Sequence, residues 1–365
     1  MSINISAITV YSNERGTAIV RVDTDQGVAG YGECSGMYPA VAVDIIKRII
    51  EPAVIGMSIF DINSITEKAF KSRYKIYGQL LAMSFSGVEL ALWDAQGKAL
   101  GQPVYNLLGG LYRNKVEYYA SSMSRDLSPA EEAEKVVSPV REFGFKALKI
   151  KVGSRMGHLG GKIVDNKNDA EKVRLVREAV GPDIVLMLDG NSSFTWFQAL
   201  QFYDLIQKYN IAIFEEPCPF TDIESHAKLS EYLGIPINLG EQEWDIYQIK
   251  RMIETGACQI LAIDASKCGG LTTMRKASAL CEAYGLLQAP HNTSHRINLY
   301  ATMHFAAATP VCACYQEYSI ENPSNTDGLI LDALHPRDGG ISVPDAPGFG
   351  FTLDEERMKS TLKIN

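Results

Sequence analysis

The sequence predicts an α/β protein in which a separate N-terminal α+β unit precedes a parallel barrel of alternating strands and helices. Three observations predict it. From about Val116 onward, eight short apolar runs alternate with segments of helix length and periodicity. Three of these runs lead to a carboxylate at equal intervals: Asp189 in IVLMLDGN, Glu215 in IAIFEEP and Glu241 in IPINLGE, each 26 residues after the last. Before Val116 the pattern differs, with apolar–polar alternation around turns followed by helical periodicity.

Residues 3–34 alternate through ITVYS, TAIVRVDTDQG and VAGYGE, which reads as an antiparallel hairpin or meander turning at Asp-Gln-Gly. Over residues 38–108 the periodicity becomes helical in AVAVDIIKRIIEPAVIG, INSITEKAFKSR and MSFSGVELALWDAQGKALG, the last stopped by Gly101 and Pro103. The eight later runs are YYASSM, ALKIKVG, IVLMLDGN, AIFEEP, PINLGE, QILAIDASKCGG, LLQAPH and CACYQEYS. Helix-type segments such as NDAEKVRLVREAVG and DIYQIKRMIETGA fill most gaps between them. Strands alternating with helices of this length predict a parallel sheet, and seven or eight units predict closure into a barrel. The Gly-rich stretch SRMGHLGGKIVDNKND after the second run reads as a mobile loop. The divisions fall at residues 1–115, 116–325 and 326–365, with the tail expected to pack back on the first unit.

A chain of 365 residues with 46% hydrophobic and 21% charged residues has the composition of a soluble globular protein. A net charge of −8 argues against nucleic acid as a partner, because phosphate binding wants a basic face. An anionic small molecule is still admitted, since a metal and local lysines can reverse the field inside one cleft. The seven cysteines include no CxxC pair and read as reduced thiols of a cytoplasmic protein. MSINISAITVYS lacks the basic and apolar regions of an export signal, and no run is long enough to span a membrane.

An apolar run ending in a carboxylate, repeated at the length of one strand-plus-helix unit, delivers acidic groups to one rim of a barrel. Active sites of such barrels sit at the C-terminal ends of the strands, and hard divalent cations take oxygen ligands. Asp189, Glu215 and Glu241 are therefore candidate metal ligands. Lys149 and Lys151 are two apart on one strand and share its inner face, with Ile150 turned outward. Two ammonium groups so close are expected to lower at least one pKa, which would suit a general base. Asp264 and His291 are 27 residues apart, again one unit, and end adjacent runs. Such a pair can form an acid/base dyad in which the carboxylate orients the imidazole. His295 either contacts substrate or caps the following helix. Glu317 ends the last run, beside the first strand of a closed barrel, where it could hydrogen-bond a substrate carboxylate. Asn191, Glu216 and Glu243 lie beside the proposed ligands and read as partners that orient them.

The ordered set LKIKVG, LDGN, FEEP, LGE, IDASKCGG, APH and YQE resembles the enolase superfamily, and within it the mandelate racemase group. The resemblance runs over roughly residues 1–355. VAGYGE and ELALWDAQGKALGQPVYNLLGG are similar to that group's capping domain. It implies a modified TIM barrel of (β/α)7β type beneath an N-terminal α+β capping domain. It implies Mg²⁺ held by Asp189, Glu215 and Glu241, and removal of a proton α to a carboxylate. Lys151 would be one acid/base with Lys149 as its electrostatic partner, His291 with Asp264 the other on the opposite face, and Glu317 a hydrogen-bond partner of the substrate. In the related muconate-lactonising group a lysine stands where this chain has Asp264, which favours the racemase-like group. Lys267 matches a lysine of both groups. A homo-oligomer is also implied.

Two bases on opposite faces admit two outcomes. A substrate with a β-hydroxyl would lose water and give a 2-keto-3-deoxy acid, whereas one without it would be racemised or epimerised. The polar stretches GMYPA, SRYKIYG, HLGGK and HNTSHR, expected over the site, suit the polyol chain of an acid sugar better than an aromatic substrate. Dehydration of an aldonate or aldarate is the leading expectation. Racemisation, epimerisation or cycloisomerisation of a sugar lactone is the alternative. A non-catalytic barrel scaffold is the reading from another class.

Overall fold

The computed structural model describes residues 2–14, 16–72, 74–156, 166–321, 328–331 and 333–365. Most of the expected mobile loop, residues 157–165 with its HLGGK stretch, lies outside them.

The N-terminal strands β1 (Ile5–Ser12), β2 (Ala18–Thr24) and β3 (Ala29–Glu33) form an antiparallel meander. The turn between β2 and β3 passes through Gly27 at φ 77°, a left-handed conformation that glycine adopts without steric cost. The sheet lies on the helix Gln79–Leu100, whose residues 81–97 are all buried. The contact is close because β3 presents glycine to it. A Cβ on Gly32 would stand 2.0 Å from the Gly87 carbonyl oxygen. The helix ends at Gly101, which is left-handed at φ 63°.

Eight parallel strands follow: β4 (Lys115–Ser121), β5 (Ala147–Lys151), β6 (Val185–Asp189), β7 (Ile211–Glu215), β8 (Ile237–Leu239), β9 (Ile260–Leu261), β10 (Leu287–Gln288) and β11 (Tyr315–Ser319). β11 pairs with β4, and β10 reaches the chain before β11 through one parallel bridge, Gln288 to Cys312, which closes the ring. A helix follows each of the first seven strands, giving the (β/α)7β pattern. Local sequence sets several helix starts. Ser128 with Glu131, and Thr195 with Gln198, form reciprocal capping boxes. Strand alternation turns Leu148 and Ile150 toward the helices and their main core. Tyr119, Ala147 and Met187 form a small separate cluster inside the barrel.

The C-terminal segment touches both parts. After β12 (Ile330–Leu331), β13 (Gly340–Ser342) runs antiparallel to the start of β4. β14 (Thr352–Leu353) pairs with β12, and β15 (Lys363–Ile364) pairs antiparallel with β1. The Phe349 N–H donates to Asp94 on the long helix. All seven cysteines are free thiols, six of them buried. Among the described residues no helix is long and apolar enough to cross a membrane.

Candidate active site and metal centre

The strand ends converge as the spacing predicts. Asp189 and Glu215 are the last residues of β6 and β7. Glu241 lies two residues past β8, beyond Gly240, whose φ of 121° bends the chain inward. Each offers an oxygen within 4.8 Å of the others', and all three side chains are buried. One oxygen of each is held by a neighbouring amide. The Asn191 backbone N–H donates to Asp189 at 2.8 Å, and the Asn238 and Gln242 side-chain amides donate to Glu215 and Glu241 at 2.6 Å. Glu241 Oε2 is buried and accepts no hydrogen bond. A buried cluster of three carboxylates fits a hard divalent cation, and this donor set is suited to no soft metal.

The two lysines of β5 both point inward, 1% and 3% exposed. Lys149 Nζ lies 2.8 Å from Glu215, 2.9 Å from Glu317 and 3.7 Å from Asp189. Lys151 is ion-paired to Asp189 and faces the cavity. The expected downward shift is not what Lys149 experiences. Burial favours its neutral form, but Glu215, Glu317, Tyr119 and Asp189 together hold its ammonium well above the ordinary lysine value. The cause is that three buried carboxylates stand within 4 Å of the Lys149 ammonium. Burial lifts the Glu215 carboxyl to about 7 against the pull of Lys149.

Asp264 and His291 lie three residues beyond β9 and β10 rather than in them. His291 Nδ1 is 2.7 Å from Asp264 Oδ2, while Asp264 Oδ1 accepts from the Ser266 N–H and hydroxyl, each at 2.7 Å. This fixes Nδ1 as the protonated nitrogen of the neutral ring and leaves Nε2 toward the cavity, 3.1 Å from Glu241 Oε2. Burial opposes the charged ring, but Glu241, Glu317 and the Asp264 hydrogen bond raise His291 to about 8. Glu317 accepts from the Ser121 hydroxyl at 2.7 Å and the Asn292 N–H at 3.0 Å. It therefore ties β11 to β4, to Lys149 and to the His291 loop.

The remaining candidates divide. Asn191 and Glu216 adopt left-handed φ of 42° and 36° at the rim. Asn191 is fixed by Arg125 through its side-chain oxygen. Glu216 accepts from the Ser192 hydroxyl, and burial and Glu241 push its carboxyl well up. Lys267 Nζ is 3.4 Å from Glu241. These three line the cavity with Lys151 and His291. His295 and Glu243 do not. The His295 ring packs edge-on against Tyr318, on the outward side of β11, with centroids 4.7 Å apart.

The cavity has a volume of about 630 Å³ and is walled by both parts of the chain. Gln79 and residues 33–37 close one side of it, and the barrel rim forms the other. The tyrosines expected over it are elsewhere. Tyr38 is 74% exposed, and Tyr77 packs against Trp244. The expected HNTSHR stretch does line it, through His291, Thr293, Ser294 and Arg296, and further polar groups come from Gln79, Gln242 and Arg155. Sequence reasoning missed Glu33, Ser121 and Asn298. VAGYGE was legible as a motif, but nothing in the chain tells that Glu33 reaches the barrel. Ser121 and Asn298 carry no local signal.

Comparison with known proteins gives a consistent answer. Residues 130–357 match the family model described as enolase C-terminal domain-like. Residues 2–109 match that of the mandelate racemase / muconate lactonizing enzyme N-terminal domain. The chain is 28% identical to arabinonate dehydratase of Saccharolobus solfataricus over 337 residues, 91% of this chain and 87% of that one. It is 30% identical to D-galactonate dehydratase of Cronobacter sakazakii over 366 aligned positions, 97% of this chain and 93% of that one. A mandelate racemase/muconate lactonizing protein from Paracoccus denitrificans, solved in complex with magnesium, superposes with a TM-score of 0.92 at 26% identity. The match covers 100% of this chain and 99% of that one.

Proposed function

Because the chain belongs to the mandelate racemase and muconate lactonizing enzyme family of the enolase superfamily, we propose that it is a Mg²⁺-dependent acid-sugar dehydratase. In this reading it removes the proton α to the carboxylate of an aldonate or aldarate and expels the β-hydroxyl as water. The electron pair left at Cα forms the enediolate, then the Cα–Cβ double bond as the C–O bond breaks. The enol product tautomerises to a 2-keto-3-deoxy acid.

The observation that carries the reading is that Lys151 and His291 line one cavity and contact different members of a buried carboxylate triad, Asp189 and Glu241. Asp189, Glu215 and Glu241 would hold Mg²⁺, which when bound supplies Lewis acidity to the substrate carboxylate. Lys149, fixed by three carboxylates, adds positive charge near the developing anion without reorganising. Asp264 secures His291 Nδ1 and leaves Nε2, which lies 3.1 Å from Glu241 Oε2 at the cavity, to give or take a proton. The relatives named for arabinonate and galactonate support an acid sugar as substrate. The cavity's amide, hydroxyl and guanidinium lining supports a polyol chain. The division of labour belongs to the same proposal: residues 1–115 cap the site, 116–325 carry the chemistry and 326–365 fasten the two. A homo-oligomer follows from the family resemblance, and light scattering on the purified protein measures it.

A screen with Mg²⁺ against aldonic and aldaric acids, reading 2-keto acid as its semicarbazone, tests the proposal. Keto acid from one acid supports it. The same two proton carriers would serve a racemase, epimerase or cycloisomerase, and α-proton exchange in D₂O without keto acid would replace dehydration with that reading. Neither keto acid nor exchange would leave a scaffold.

A further inference from the structure

Two residues of the N-terminal unit, Glu33 and Ser35, reach the two loops that carry the His291–Asp264 pair, one each. Glu33, the last residue of β3, is 3% exposed. Its Oε1 accepts from Arg296 Nε at 2.8 Å. Its Oε2 accepts from the Ser294 hydroxyl at 2.9 Å and from the Asn298 backbone N–H at 3.0 Å. Asn298 is the second residue of the helix Ile297–Ala308, so Glu33 supplies from outside the barrel the acceptor that a helix N-terminus lacks. Arg296, at the N-cap position, makes no side-chain cap of its own. Asn298 then extends its side-chain amide to Asn292 at 3.0 Å and to Asp264 at 3.4 Å. Asn292, next to His291, is held in turn by Ser294 and Glu317. On the other loop, the Ser35 N–H donates to the Ser266 carbonyl at 3.3 Å, and Ser266 holds Asp264.

The preceding barrel helix, Leu271–Tyr284, is treated in the same way. Glu89 of the long helix accepts from the Leu271 N–H at 2.9 Å and from the Thr272 N–H at 2.8 Å. Both helices that follow the Asp264 and His291 strands thus start on a buried carboxylate donated by the N-terminal unit. Neither of these helices has a side-chain cap of its own, whereas those starting after Ser128, Thr195, Asp222 and Asp245 do.

We propose that Glu33 is a positioning residue that sets the His291–Asp264 pair from the N-terminal unit, so that the acid/base on this face is assembled only when β3 is docked. The proposal rests on the acid/base reading of His291, but the geometry can be tested separately from it. Lys151 is on β5, and none of the hydrogen bonds of Glu33 leads to it. Loss of Glu33 should therefore disable one face and spare the other.

The experiment compares wild type with Glu33→Ala, using His291→Asn to assign resonances and to identify the epimer whose α-proton is handled from the histidine side. In wild-type protein the hydrogen-bonded His291 Nδ1 proton gives a downfield NMR signal. In Glu33→Ala that signal broadens or disappears. Deuterium exchange of the histidine-side epimer falls about 100-fold, the scale expected when a reacting group is misplaced by about 1 Å, while exchange of the other epimer stays within about threefold. Equal loss on both epimers, as from general destabilisation, or an unchanged signal overturns the proposal. If Glu33→Ala does not fold, Glu33→Gln, which keeps one acceptor oxygen, replaces it and should show the same one-sided loss in weaker form. If no acid exchanges even with wild type, the proposed function fails and the NMR signal alone decides the role of Glu33.

Discussion

Lys149 is the residue whose surroundings constrain it most. It is buried among three carboxylates that are themselves buried, so each group is tolerable only while the others remain. Lys149→Met should leave Glu215 and Glu317 without their shared cation and destabilise the protein by about 3–5 kcal/mol. Thermal unfolding checks this, and an unchanged midpoint would show the cation to be dispensable. Lys151 and His291 are also buried and paired, with Asp189 and Asp264, but unlike Lys149 both line the cavity. Lys151→Ala and His291→Asn should each lower turnover by about 10²–10⁴-fold, the range for general acid–base groups, with the circular dichroism spectrum preserved. Near-wild-type turnover in either variant would remove that residue from the proton transfer.

Close packing governs the element scale. β3 can place Glu33 at the barrel rim only because Gly30 and Gly32 let it lie against the helix Gln79–Leu100. A Cβ at Gly32 would sit 2.0 Å from a backbone oxygen, and backbone cannot move aside as a side chain does. Gly32→Ala should cost at least the roughly 1–3 kcal/mol of ordinary overpacking, seen as a lowered denaturant midpoint. A wild-type midpoint would mean that the sheet shifts freely on the helix.

A second tie at this scale is His304, on the helix Ile297–Ala308. Its Nδ1 accepts from the Tyr105 N–H, and its Nε2–H donates to the Phe349 carbonyl, both at 3.1 Å. One neutral ring thereby joins the barrel, the N-terminal unit and the C-terminal segment. Burial pushes its pKa down to about 4 from an ordinary 6.5. The unfolded chain then takes up this proton first as pH falls. The stability it confers is complete above 6.5 and lost progressively down to about 4, on the order of 3 kcal/mol in all. His304→Gln should start less stable than wild type and lose less stability between pH 7 and 4.5. Parallel stability profiles for the two proteins would refute this.

On the scale of the whole molecule, the barrel gathers Asp189, Glu215 and Glu241 into one buried cluster and offsets them with Lys149, Lys151, Lys267 and His291. A divalent cation binding this cluster only in the folded state stabilises it by mass action, about 2.7 kcal/mol at a hundredfold excess over Kd. Mg²⁺ should therefore raise the unfolding temperature, and a chelator should reverse the rise. In Glu241→Gln the rise should shrink together with activity. An equal rise in that variant would place the metal elsewhere.

The order of strands and helices was legible from the sequence because burial imposes its period on local residue pattern, and the cluster of rim carboxylates was legible because one strand-plus-helix unit fixes their interval. Asp189, Glu215, Glu241, Lys149, Lys151, Asp264, His291 and Glu317 all follow from those two regularities and meet at one end of the barrel. The sequence also placed Gly101 at the end of the long helix, where only its left-handed backbone was needed. What it did not carry depends on contacts between distant segments. The upward shift of Lys149 comes from carboxylates on β6, β7 and β11, none of them near it in the chain. His295 packs its ring against Tyr318 instead of lining the cavity, a matter of packing rather than of spacing. Glu33 is separated from Asn298 by 265 residues. Such a pairing leaves no periodic trace in either segment, and only the docking of β3 on the barrel decided it.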